Sequence, residues 1–262
     1  MSDISADDIR ALKPSKINTQ ALKKMISLID LTSLNQSDTA SSIALFCKKA
    51  DTSFGAVAAV CVYPQFVKQV ATEFADTRIK TATVVNFPQG TAALEVVLAE
   101  IHLALTNGAQ EIDVVFPYRS YLAGSTEHAL QFVNACKMAC ANQALLKVIL
   151  ETGELQDLAK IAEASQIALI GGADFIKTST GKVPLGASLE AVATILSVIR
   201  NLSPHLKQSA GIKISGGVRA IEQAMQYIQL TEMMMGASWV SADTFRIGAS
   251  SLVDAIIDYH FD

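Results

Sequence analysis

Short apolar runs rich in β-branched residues recur through the whole chain, and they constrain its fold more than any other feature. They fall near Ile26–Asp30, Val57–Val62, Thr81–Val85, Glu111–Phe116, Leu145–Leu150, Asp174–Lys177, Gly211–Ile214 and Phe245–Gly248. Their starts lie roughly 25 to 37 residues apart, the size of a strand plus a crossover helix. The segments between them carry helical periodicity, as in Ala92–Leu105 and Leu189–Ile199. Strands buried on both faces of a parallel sheet read as continuous apolar runs, which gives half-hydrophobic composition a place to go. Eight such units with right-handed crossovers predict an α/β protein, a (β/α)8 TIM barrel.

The length of 262 residues is typical of one such barrel, and no linker, charge block or low-complexity stretch divides it. One domain spanning residues 1–262 is expected. A short helix or two ahead of the first strand should lie over the N-terminal mouth. The competing doubly wound sheet wants a GxGxxG turn after its first strand, and none is present; the glycine pairs come late, at Gly171-Gly172 and Gly216-Gly217. The eighth strand is the least regular, because Met233–Gly248 reads in several ways.

Composition excludes some functions. The net charge of −4 argues against nucleic acid, so an anionic ligand would need a local site. No run approaches the roughly 18 apolar residues of a membrane helix. The N-terminal MSDISADDIRALK lacks a signal-peptide core, and a cytoplasmic enzyme is expected. Cys47, Cys61, Cys136 and Cys140 match no zinc or redox spacing and read as buried apolar groups. His102, His128, His205 and His260 are scattered, which makes a histidine metal site or a Ser-His-Asp triad a poor fit.

In such a barrel the working groups sit at the C-terminal ends of the strands. Three charges are embedded in apolar strand sequence there: Asp113 in the fourth, Lys177 closing the sixth and Lys213 in the seventh. Burying an unpaired charge costs several kcal/mol, so each needs a reason. Lys177 and Lys213 are one repeat apart and belong on neighbouring strands at similar heights. At about 6 Å and an effective dielectric near 20, two ammonium groups repel by roughly 3 kcal/mol, which drives an amine toward its neutral, nucleophilic form. Asp113 could then shuttle protons. The plainer reading is a buried Lys–Asp pair that fixes barrel register. Lys147 is a third strand lysine, with Glu151 four residues on; it pairs with Asp113 or joins the polar layer of the site.

A second constellation is a set of turns after strands six to eight: Thr178-Ser179-Thr180-Gly181-Lys182, Ser215-Gly216-Gly217-Val218-Arg219 and Gly248-Ala249-Ser250-Ser251. Barrels bind phosphate on such loops and on a nearby helix N-terminus, which is expected to begin near Val218.

Together IDLTSLN (29–35), CVYPQF (61–66), VVNFPQG (84–90), EIDVVFPYR (111–119), LKVILETGEL (146–155), ADFIKTSTGK (173–182), GIKISGGVR (211–219) and FRIGASSL (245–252) resemble the deoxyribose-phosphate aldolase family, in order and over nearly the whole chain. The resemblance implies a Schiff-base (class I) aldolase, a lyase needing neither metal nor organic cofactor. It would reversibly cleave 2-deoxy-D-ribose 5-phosphate to D-glyceraldehyde 3-phosphate and acetaldehyde in deoxyribonucleotide catabolism. Carried onto this chain, Lys177 forms the imine, Lys213 perturbs it and Asp113 handles protons with water. Gly181, Lys182, Gly216, Gly217, Ser250 and Ser251 would meet the phosphate. Asp30, Thr32, Asn35 and Lys147 would line the polar part of the pocket. The expected partners are these small molecules, with neither nucleic acid nor membrane, and a homodimer is left open. Ile214 departs from the family's pattern beside the seventh-strand lysine but is apolar and leaves both glycines in place. Tyr259 is a poor match to the tail tyrosine that some members carry. The alternatives are another sugar-phosphate aldolase with the same lysine chemistry, and a non-catalytic barrel that senses a sugar phosphate; the lysine pair favours an enzyme over a binder.

Overall fold

The computed structural model describes residues 6–206 and 209–260. Eight parallel strands close into a barrel: β1 (Ile29–Ser33), β2 (Ala59–Val62), β3 (Lys80–Val85), β4 (Glu111–Val115), β5 (Leu145–Ile149), β6 (Phe175–Lys177), β7 (Gly211–Ser215) and β8 (Phe245–Ala249). Each pairs with its neighbours in sequence, and β1 closes the ring against β8, with Asp30 opposite Gly248. The (β/α)8 reading of the sequence holds, including the irregular eighth strand.

The first strand is shifted from its expected place. Ile26 and Ser27 close the helix Thr19–Ser27, whose buried Leu22, Met25 and Ile26 share one face, and β1 starts at Ile29. The apolar run there belongs to two elements, so periodicity over five residues could not separate them. The first short helix, Ala6–Arg10, lies on the outer helix Leu189–Leu202, with Arg10 bonding Glu190 in that helix's first turn. A small hairpin, Asp51–Thr52 with Gly55–Ala56, precedes β2. No helix among the described residues is long and apolar enough to cross a membrane.

Two apolar regions hold the molecule together. The larger fills the space between strands and helices, taking in Ile112, Val114, Leu146, Val148, Ile176, Ile212, Ile214 and Ile247 from the outward strand faces. The smaller lies inside the barrel, where Leu34, Ala59, Cys61, Ala82 and Val84 pack together with Tyr63 and Phe87 against them. The interior is therefore divided. The β2–β3 side is apolar and lined by small residues, while β1 and β4 to β8 send charged groups inward.

Candidate active site

The charges buried in strand sequence meet in one cluster. β6 and β7 pair with Lys177 opposite Lys213, β7 and β8 with Lys213 opposite Arg246, and β4 and β5 with Asp113 opposite Lys147. Strand residues in register point the same way, so all these side chains enter the barrel. Lys177 Nζ and Lys213 Nζ each lie 2.7 Å from the same oxygen, Asp113 Oδ2. Lys213 also reaches Asp30 Oδ2 at 2.6 Å.

A second tier lies beneath. Lys147 donates to Asp30 at 2.8 Å and to Glu111, and stands 3.6 Å from Asp113 Oδ1. Arg246 bonds Asp30 at 2.6 Å and Glu111 at 2.9 Å. The Phe175 ring packs against this tier, its centroid 5.8 Å from Lys147 Nζ and 5.7 Å from the Arg246 guanidinium. Lys147 thus pairs mainly with Asp30 and Glu111 and sits below the cavity, as does Asp30; neither lines it.

Four cationic side chains (Lys147, Lys177, Lys213, Arg246) against three carboxylates (Asp30, Glu111, Asp113) leave one excess positive charge in a buried space. Lys147 reaches three carboxylates and Lys213 and Arg246 two each, whereas Lys177 holds one and shares it. Lys177 is therefore where the surplus proton is least well held. Burial lowers its pKa, Lys213 pushes in the same direction, and Asp113 only partly opposes them. The leading cause is thus desolvation rather than the neighbouring cation alone. Burial would also lower Lys213, but Asp113 and Asp30 outweigh it and hold the ammonium charged. Burial would raise Asp113, but Lys177, Lys213 and Lys147 keep its carboxyl well below the usual range. Asp113 Oδ1 has no hydrogen-bond partner among the described residues.

Lys177, 2% exposed, opens onto a cavity of about 290 Å3 at the C-terminal end of the barrel. The walls include Thr32 and Asn35 from the first strand and its loop, Gly181 and Lys182 after β6, Gly216 and Gly217 after β7, and Ser250 and Ser251 after β8. The sequence-based reading did not assign Arg219, which lines the same wall and was visible as the basic residue ending GIKISGGVR. Glu111 and Arg246 were missed too, although Glu111 is two residues from Asp113 and so on the same strand face.

The glycines of the turn after β7 have specific work. Gly216 (φ 92°) and Gly217 (φ 89°) are left-handed, and a Cβ at Gly216 would lie 2.8 Å from Gly186 Cα. Gly217 has no atom within 4 Å of an added Cβ, leaving its backbone approachable. The following helix starts at Ile221, three residues beyond the expected Val218, so Gly217, Val218 and Arg219 meet the cavity as loop. The Lys182 ammonium donates to the Leu34 carbonyl at 2.5 Å, bridging the turn after β6 to that after β1. Among the described residues no group of three or more His, Cys, Asp or Glu side chains is suited to hold a metal ion.

A parallel barrel with a buried, poorly paired amine opening onto a cavity rimmed by glycine and serine turns defines a barrel enzyme of the carbonyl-condensing kind. Residues 24–252 match the DeoC/LacD family of aldolases, and the chain belongs to that family. It is 45% identical over 240 residues to the deoxyribose-phosphate aldolase of Agrobacterium fabrum, covering 91% of each. Among solved structures it resembles a provisionally assigned deoxyribose-phosphate aldolase of Toxoplasma gondii ME49, at 28% identity and TM-score 0.83, covering 92% of this chain and 96% of that one. It also resembles the deoxyribose phosphate aldolase of Aeropyrum pernix, described as a tetramer, at 27% identity and TM-score 0.75, covering 97% of each.

Proposed function

We propose that this aldolase reversibly cleaves 2-deoxy-D-ribose 5-phosphate to D-glyceraldehyde 3-phosphate and acetaldehyde through an imine on Lys177. The observation that carries this is the state of Lys177: buried, opening onto the cavity, and sharing its one carboxylate oxygen with Lys213. Such an amine is the one most readily neutral near pH 7 and hence nucleophilic.

Neutral Lys177 Nζ attacks C1 of the open-chain sugar, and loss of water gives the protonated imine. A base removes the proton of the C3 hydroxyl, the C2–C3 bond breaks, and its electron pair moves into the imine to give an enamine and glyceraldehyde 3-phosphate. A proton then returns to C2, and water releases acetaldehyde and the free amine. Asp113 suits the proton transfers, directly or through water, because its Oδ2 lies 2.7 Å from the Lys177 amine where the imine would form. Burial lowers the Lys177 pKa first, and the fixed positive charge of Lys213 pushes in the same direction. Leu34, the member of the smaller apolar cluster that lines the cavity, gives it an apolar surface suited to a two-carbon donor. The turns after β6, β7 and β8 suit the phosphate, because they line the same cavity as Lys177. Neither nucleic acid nor membrane enters this scheme.

The test is direct cleavage: wild-type protein should release glyceraldehyde 3-phosphate from deoxyribose 5-phosphate, and Lys177→Met should not, while keeping its circular dichroism. Cleavage surviving in Lys177→Met would refute the assignment.

A further inference from the structure

Glu151 is a buried carboxyl that the reaction above does not use. It follows β5 by two residues, and its backbone is left-handed (φ 58°, ψ 60°), which costs a residue with a side chain about 1 kcal/mol. Its neighbours are stitched to the exit of β6: Leu150 N–H donates to the Lys177 carbonyl and Thr152 N–H to the Thr178 carbonyl, both at 2.9 Å. Glu151 is thereby held opposite the Lys177–Thr178 peptide.

From there the carboxyl reaches Thr180. Oε1 accepts from Thr180 N–H at 3.1 Å and Oε2 from its hydroxyl at 2.5 Å. The same hydroxyl oxygen accepts Lys182 N–H at 3.1 Å. One hydroxyl thus donates to Glu151 and accepts from Lys182, which sets the orientation of the Gly181–Lys182 peptide. Beyond it, the loop presses on the turn after β7: a Cβ at Gly186 would lie 2.0 Å from the Gly216 carbonyl oxygen, and Ala187 N–H donates to that oxygen at 3.2 Å. Thr180, Gly181, Lys182, Gly216 and Gly217 all line the cavity. Glu151 feels the Lys177 charge but directs its hydrogen bonds to Thr180, so a buried carboxyl and a strained backbone coincide at one position that supports the rim.

We propose that Glu151 is a positioning residue for anion recognition. It does not touch substrate but holds Thr180, and through Thr180 the Gly181–Lys182 segment, in the geometry that receives the phosphate. This rests on the function proposed above. It predicts that the Glu151–Thr180 pair governs binding of the phosphate more than the rate of the chemical steps.

The experiment compares wild type with Thr180→Val, Thr180→Ser, Glu151→Gln and the Glu151→Gln/Thr180→Val double variant. Steady-state constants are measured on deoxyribose 5-phosphate and deoxyribose, and inorganic phosphate binding by calorimetry. Thr180→Val should weaken phosphate binding and raise KM for the phosphorylated sugar by about tenfold, the effect of losing one hydrogen bond to a charged group. Its kcat should change far less, and Thr180→Ser should restore phosphate binding. The double variant should be no worse than Thr180→Val, because both remove the same link. Equal losses on the two sugars with phosphate binding unchanged in Thr180→Val would overturn the inference. Should Glu151→Gln fail to fold, the Val and Ser variants at Thr180 still decide it. If wild type cleaved neither sugar, the proposed function would fall, and the calorimetric comparison would still decide the role of Glu151.

Discussion

Lys177 and Lys213 face each other across β6 and β7 and converge on one atom, Asp113 Oδ2, 2.7 Å from each Nζ. Two cations on one carboxylate oxygen cannot both be fully satisfied. Lys213 has a second carboxylate in Asp30, so the deficit falls on Lys177.

Replacing Lys213 by leucine should let Lys177 keep its proton to higher pH. Two effects act together: the repelling charge goes, and Asp113 Oδ2 serves Lys177 alone. Activity at pH 7 should fall and recover in part as pH rises, giving a kcat/KM profile displaced to the alkaline side. A wild-type profile in this variant would show that Lys213 exerts no electrostatic control.

Asp113→Asn separates imine formation from proton transfer. Asp113 raises the Lys177 pKa, so its loss leaves the amine at least as neutral, and an imine should still form. Cleavage should drop by roughly a hundredfold or more, the contribution of a placed acid–base group. Deuterium exchange into the methyl carbon of acetaldehyde should slow in parallel. Exchange at the wild-type rate would remove Asp113 from the proton path.

Arg246→Leu tests the lower tier. It leaves Asp30 and Glu111 with Lys147 and Lys213 as their remaining cations, and breaking a buried ion pair costs about 3–5 kcal/mol, measurable by urea unfolding at pH 7. The pH dependence has a definite sign. Burial would raise Asp30, yet Lys147, Lys213 and Arg246 hold its folded pKa well below the unfolded value of about 3.9. Its stabilisation is present above that pH and is lost as pH falls through the lower, folded value. Without Arg246 the depression shrinks, so acid unfolding should move to higher pH. An unchanged acid midpoint would mean that Arg246 does not stabilise the Asp30 carboxylate.

Ser250→Glu places a carboxylate on the cavity wall proposed to receive the phosphate. At about 4 Å and an effective dielectric near 20, each pair of like charges costs roughly 4 kcal/mol, about a thousandfold in affinity. Cleavage of deoxyribose 5-phosphate should collapse, while deoxyribose should lose little. Equal losses on both would place the phosphate elsewhere.

The barrel was legible because each strand is an apolar run that its crossover helix separates from the next. Asp113, Lys177 and Lys213 stood out because charge is costly in such runs. Glu111 was hidden at a strand's start, where a charge is unremarkable, and Arg246 follows Phe245 at the edge of an irregular stretch. Their importance depends on Asp30 and Lys147 arriving from β1 and β5, a long-range convergence that no local pattern carries. The first strand was misplaced because Ile26 and Ile29 are both buried, one in a helix and one in a strand. Lys182 lines the cavity, and its ammonium also donates to a carbonyl 148 residues away in sequence, a contact its place after Gly181 does not foretell.

The central claim is that Lys177 is the amine that bonds to the substrate carbonyl. The most direct measurement is reduction with borohydride in the presence of acetaldehyde, followed by peptide mass mapping. The predicted result is one added ethyl group on Lys177, with Lys147 and Lys213 unmodified. An ethyl group on Lys213 or Lys147 with Lys177 untouched, or no adduct in protein that cleaves deoxyribose 5-phosphate, would contradict it.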